Sequence, residues 1–163
     1  MLIDLREIVD VPGGEVTFDF ELDMSDAVEG SIVEIKKPAR TYGNVANTAG
    51  VLTFSCNVDA TCVCTCARCL KEFQLPVHKL ISADLTEEGE NENPDGYFLQ
   101  GDKVDAAEII ITEFILNTDD RLYCKDDCAG LCQSCGSDLN VGPCDCKKEI
   151  DPRLAVLGQL LED

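Results

Sequence analysis

Hydrophobic and polar positions alternate most clearly over Val51–Cys66. There Cys56, Val58, Ala60, Cys62, Cys64 and Cys66 share one face, while Asn57, Asp59, Thr61 and Thr65 lie mostly on the other. A period of two is the pattern of a strand with one buried face. The alternation resumes after Cys66–Leu70 with Phe73, Leu75, Val77, Ile81, Ala83 and Leu85. Two such runs around a short connection predict a hairpin, with Cys66-Ala67-Arg68-Cys69 at its tip. Shorter strand-like segments precede it at Met1–Val9, Glu15–Leu22 and Ser31–Lys37, punctuated by Pro12-Gly13-Gly14 and the turn region Ser25–Gly30.

Beyond the polar, acidic stretch Thr86–Gly96, which reads as a solvated linker, the period becomes helical. Asp105 is placed to cap a helix, Glu108 completes a capping-box pattern, and Ala107, Ile110, Ile111, Phe114 and Ile115 fall on one face. A second helix is predicted at the end of the chain, with Asp151 as N-cap and Pro152 as its first residue. Its apolar stripe is Leu154, Leu157, Leu160 and Leu161. The expected architecture is α+β: an antiparallel, barrel-like sheet with two helices and a cysteine-rich, zinc-stapled C-terminal segment. Residues 1–100 form the β region. Residues 101–163 carry the helix, the cysteine-rich segment and the C-terminal helix, in one structural domain with the sheet.

Composition narrows the function. The 163 residues suit a single domain with a core of its own. Thirty-two acidic side chains against 13 basic ones leave a net charge of −19. Such a field repels nucleic acid, and the best basic cluster, Lys36-Lys37-Pro38-Ala39-Arg40, is short. Direct binding of bare RNA is therefore disfavoured, whereas a strongly basic protein is attracted. No apolar run approaches the roughly 20 residues of a membrane span, and acidic residues in Met1–Glu7 occupy positions where a signal peptide is basic. The expected location is cytoplasmic. A reducing compartment and the odd count of 11 cysteines argue against a disulfide framework and favour metal binding.

Strand periodicity sorts the thiols. Cys56, Cys62 and Cys64 lie on the apolar face, where cysteine behaves as a small hydrophobe. Six others follow as Cys124-x3-Cys128-x3-Cys132-x2-Cys135-x8-Cys144-x-Cys146. Cys132 and Cys135, with Gly136 behind them, have the form of a metal knuckle and belong to any metal site. They need two further ligands, from Cys144 and Cys146, from Cys124 and Cys128, or from Cys66 and Cys69 by tertiary contact. Spacing does not choose among these, and filling two four-sulfur sites with all eight is the most demanding reading. A closed four-thiolate zinc site is structural, because it leaves no open coordination position.

Other chemistry is poorly supported. Cys128-x3-Cys132-x2-Cys135 has the spacing of the cluster loop in radical S-adenosylmethionine enzymes, but only 28 residues follow Cys135 and no glycine-rich cofactor strand is among them. An iron–sulfur cluster is thus disfavoured. His78 is the only histidine and falls within a predicted strand, so nucleophilic Cys–His catalysis has no local support. No phosphate-binding loop is present, and no βαβ pattern surrounds Cys66–Cys69 to suggest a thioredoxin-like site. The chain is not expected to be an enzyme.

Several stretches together resemble one family. They are Cys66-Ala67-Arg68-Cys69-Leu70 with Phe73, Val104-Asp105 before the first helix, the run from Cys124 through Gly130-Leu131-Cys132-Gln133-Ser134-Cys135-Gly136 to Asn140, and Ile150-Asp151-Pro152-Arg153-Leu154-Ala155-Val156-Leu157. In order and spacing these resemble the YceD family, the large ribosomal RNA subunit accumulation proteins. The resemblance implies a non-enzymatic role in large-subunit ribosome biogenesis, through accumulation or processing of the large ribosomal RNA. It also implies that the metal site supports the fold in a subset of members. One departure is Asn117-Thr118-Asp119-Asp120, where relatives usually carry a proline-containing link. Combined with the acidic charge, the resemblance points to a basic ribosomal protein or pre-ribosomal particle as partner, with Arg68 as the candidate contact residue. The competing reading is a zinc- or redox-responsive regulatory binding protein.

Overall fold

The computed structural model describes residues 1–86 and 96–146. Its centre is a five-stranded sheet in the order β2-β3-β4-β5-β6, built from Glu15–Leu22 (β2), Ile32–Thr48 (β3), Val51–Thr65 (β4), Glu72–Thr86 (β5) and Tyr97–Phe98 (β6). β2 to β5 are antiparallel, and the two residues of β6 join the end of β5 in parallel. A second, two-stranded sheet pairs β1 (Leu2–Asp4) with β7 (Lys103–Asp105), which leads directly into helix α1 (Ala106–Leu116).

The β4–β5 hairpin follows the predicted alternation. Leu52, Phe54, Cys56, Val58, Cys62, Cys64 and Cys66 are buried, while the positions between them are mostly half-buried or exposed. In register they meet Leu85, Ala83, Ile81 and, further along, Leu75 and Phe73 on β5, so one apolar face runs across both strands. β3 extends well past the predicted segment to Thr48, crossing Pro38 and Gly43, because β2 and β4 pair with it from both sides. It turns into β4 through Ala49 and Gly50, at φ of +54° and +94°. Two left-handed residues make the type I′ turn that suits strand twist. Asn47, buried, fastens this end by donating to the carbonyls of Ile8 and Val9 at 2.8 and 2.7 Å.

Three sequence expectations need correction. The sheet does not close into a barrel: β2 and β6 are its edges, and the protein is mostly β rather than α+β. Closure is unnecessary because other parts of the chain cover the apolar face. Ile3, Leu5, Ile8, Met24, Ala27 and the buried side of α1 join the strand residues in one core. Among the described residues there is one α-helix, not two. The predicted C-terminal helix at Asp151, like most of the acidic linker, lies outside them. Finally, Met1–Val9 is not a strand of the main sheet, since only Leu2–Asp4 is extended and it pairs with β7.

Helix α1 begins where predicted, with the Asp105 carboxylate accepting from Ala107 N–H at 3.0 Å. Its inward face is rotated by about one position from the predicted stripe. Ala106, Ile109, Ile110 and Phe114 are buried, while Ile111 and Ile115 lie at the border. A helix lying on a twisted sheet buries more than one narrow stripe, and packing selects its centre.

Two four-cysteine centres

The hairpin tip positions the first pair of thiols. Cys66 N–H donates to Lys71 O at 2.9 Å and Leu70 N–H to Cys66 O at 2.9 Å, closing a tight turn that aims Cys66 and Cys69 to one side. A later segment runs beside this turn, held by Ala67 N–H to Leu122 O at 2.8 Å and Leu131 N–H to Arg68 O at 3.1 Å. Close approach here requires Gly130. Its φ is +74°, and a Cβ at that position would stand 3.0 Å from the Arg68 carbonyl oxygen. The docked segment delivers Cys124 and Cys128, completing a four-thiol group with Cys66 and Cys69.

The second group is local in sequence. Gly136 N–H donates to Cys132 O and Cys132 N–H to Ser137 O, both at 2.8 Å, which folds the Cys132–Cys135 knuckle. The loop that follows returns Cys144 and Cys146 to it. In each group the four sulfurs lie within 4.8 Å of one another. Metal–sulfur bonds of about 2.3 Å in a tetrahedral site separate ligand sulfurs by about 3.8 Å. The distances Cys66–Cys128 at 3.8 Å and Cys69–Cys124 at 3.7 Å match that edge. Either group could therefore hold a metal ion, and the eight thiols named from sequence divide into two sets that spacing alone left open.

The electrostatics fit cation binding. In the first group burial opposes ionisation of Cys66, yet backbone N–H groups of Cys124, Cys69 and Arg68 bring its thiol down to about 6. Burial and the neighbouring sulfurs push Cys124 up to about 12. In the second group the N–H groups of Cys135 and Ser134 lower Cys132 to about 6, while the adjacent Cys135 and burial push Cys146 up to about 12. Hydrogen-bond donors thus favour the thiolate at Cys66 in the first group and at Cys132 and Cys135 in the second, where Ser137 lowers Cys135, while burial and like charge resist ionisation of Cys124 and Cys146, a repulsion that a divalent cation removes. The core thiols behave differently. Burial raises Cys56 and Cys62 to about 11, which leaves them neutral and inert.

Residues that sequence reasoning overlooked tie the groups together. Asn140, in the second loop, donates from Nδ2 to Cys128 Sγ at 3.5 Å and accepts from Ala129 N–H at 2.9 Å through Oδ1. Asp138 accepts from the Asn140 backbone N–H and side chain at 2.9 and 2.7 Å, and pairs with Lys71 Nζ on the hairpin at 2.5 Å. Lys71 and the Asn140 donors hold the Asp138 carboxyl down at about 2. The Asp-x-Asn spacing, a common turn signal, was the available clue. Arg68 is exposed but already engaged: its guanidinium donates to the Asp126 and Cys128 carbonyls at 3.0 and 3.2 Å and lies 4.4 Å from the Tyr123 ring centroid. His78 is an exposed strand residue, its Nδ1 2.6 Å from Asp59 Oδ1 across the sheet.

Fold and site together define a class: an open, mostly antiparallel sheet whose central hairpin ends in one of two adjoining four-cysteine centres. A family model described as large ribosomal RNA subunit accumulation protein YceD matches residues 54–161, from early β4 through both centres. The chain belongs to that family, whose members act in accumulation of the large-subunit ribosomal RNA. Neither the curated proteins nor the solved structures compared with the chain give a match. No helix among the described residues is long and apolar enough to cross a membrane.

Proposed function

We propose that the protein is a non-enzymatic, cytoplasmic ribosome-biogenesis factor that supports accumulation of large-subunit ribosomal RNA by binding a basic ribosomal protein. The family match across both cysteine centres carries this reading. The partner assignment rests on charge. The chain carries −19, and among the described residues no Asp or Glu is buried, so the negative charge is presented to solvent. A surface of that kind attracts a cationic protein and disfavours phosphate backbones.

Both centres are proposed to hold structural zinc. Four thiolates per site with no open position fit that ion, and its charge offsets the repulsion among them. Cys66, Cys69, Cys124 and Cys128 would hold one ion, and Cys132, Cys135, Cys144 and Cys146 the other. Affinity purification of the full chain from growing cells at moderate salt tests the function. Recovery of a basic large-subunit protein together with precursor ribosomal RNA is expected. Direct recovery of RNA with no ribosomal protein would overturn the partner assignment.

A further inference from the structure

The 11 cysteines meet solvent very unequally. Six are buried, three are half-buried, and Cys135 and Cys146 alone are exposed. Both exposed thiols belong to the second centre, where the four sulfurs lie within 4.8 Å of one another. They sit on opposite arms of the loop that follows the knuckle. Its glycines Gly136 and Gly142 face open space, since a Cβ on either would meet nothing within 4 Å. The outer side of this centre is therefore open to a small reagent.

The same loop depends on its thiols for shape. No residue from 132 to 146 is buried, so this stretch has no core of its own, and an ion held by four thiolates would close it. Its anchors to the rest of the protein lie elsewhere, at Asp138 on Lys71, Leu139 N–H on Gly130 O, and Asn140 on Cys128 and Ala129. The first centre is closed by contrast, because Cys66, Cys69 and Cys128 are buried with Phe73 and Leu131 packed against them. Susceptibility of a thiolate to oxidation follows its exposure.

We infer that the second centre is a site of reversible oxidation, at which a small neutral peroxide joins Cys135 to Cys146 and expels the ion. One thiolate attacks a peroxide oxygen, the O–O bond breaks, and a sulfenic acid forms while hydroxide leaves. The other thiolate attacks that sulfur, the S–O bond breaks, and a second hydroxide leaves. With hydrogen peroxide the two sulfurs give up two electrons, two protons are taken up, and two waters result. The ion then departs, because only two thiolates remain to hold it. A chain with net charge −19 repels anionic oxidants such as oxidised glutathione, whereas hydrogen peroxide carries no charge. The inference rests on the proposed zinc occupancy of both centres and gives them different duties. Oxidation loosens residues 132–146 while the first centre keeps the tail docked on the hairpin.

The test uses the full chain purified with zinc, its ion count measured first, then hydrogen peroxide as probe with a colorimetric zinc indicator. One ion per chain is expected to leave about tenfold faster than the other. Mass-spectrometric peptide mapping should place the first disulfide at Cys135–Cys146, and dithiothreitol with added zinc should restore the starting count. Oxidised glutathione at equal concentration should act about tenfold more slowly than peroxide. C146S keeps all four ligands of the first centre and should lack the fast release. Loss of both ions at one rate, fast release that persists in C146S, or a first disulfide that leaves Cys135 and Cys146 reduced would overturn the site. Equal release by the two reagents would overturn the oxidant class. An unoxidised chain holding fewer than two ions would instead overturn the two-zinc reading on which the inference stands.

Discussion

The two cysteine centres each bring four thiols together and each contain a CxxC half-site, yet they are built differently. The first joins thiols 55 to 62 residues apart in sequence, Cys69 with Cys124 and Cys66 with Cys128, on the tip of a rigid hairpin. Cys66, Cys69 and Cys128 are no more than 4% exposed and pack with Phe73 and Leu131. The second lies wholly within residues 132–146, and its thiols are half-buried or exposed. The first centre is thus a tertiary clasp that docks the tail onto the sheet, and the second is a local loop staple hung from it. Equal ligand chemistry does not imply equal stability, because a ligand set preorganised by packing loses less entropy on binding and is shielded from competing water and reagents.

The largest expected effect breaks that hierarchy. C66S should lower the metal count and remove amide protection from residues 66–71 and 122–146, since the second loop hangs on the first centre through Asn140 and Asp138. C135S should cost one ion and protection only within residues 132–146. Full chelation should unravel residues 124–146 while most of the sheet stays folded, because the main core and the cluster of Cys66, Cys69 and Cys128 have no buried residue in common and meet only at the half-buried Phe73. Metal stoichiometry with amide exchange reads all three, and unchanged protection of the tail after complete metal removal would refute the clasp.

A smaller effect should fall on the link between the centres. N140A removes the donor to Cys128 and the acceptor for Ala129 N–H, and should destabilise the metal-loaded tail by about 1–2 kcal/mol. Zinc release from both centres should quicken in a chelator-competition assay, whereas acceleration confined to one centre would mean that they are independent. The smallest effect should leave both centres untouched. A49N places a residue tolerant of positive φ in the β3–β4 turn and should stabilise the sheet by about 0.5–1 kcal/mol, read as a raised denaturation midpoint with unchanged metal release.

Much of this was readable in advance, and the failures have physical causes. Period-two alternation located β4 and β5, placed Cys66–Cys69 at their tip, and separated the core thiols from the metal candidates. The Asp105 cap located α1. The length of β3 was not readable, because Pro38, Gly43 and Asn44 disfavour strands and only pairing on both sides sustains it. The barrel expectation failed because a one-faced sheet can be covered as well as closed, and periodicity does not say which.

By itself the sequence determined the strand faces, the hairpin with its thiol-bearing tip, the capped helix, the acidic surface and the family, all of which rest on local periodicity or short-range spacing. Tertiary structure alone decided that the sheet stays open, and that Cys66 and Cys69 join Cys124 and Cys128 while Cys132 and Cys135 take Cys144 and Cys146. Those choices depend on which backbone segments can lie side by side, here on Gly130 letting the tail meet Arg68, and chain spacing carries no record of such an approach.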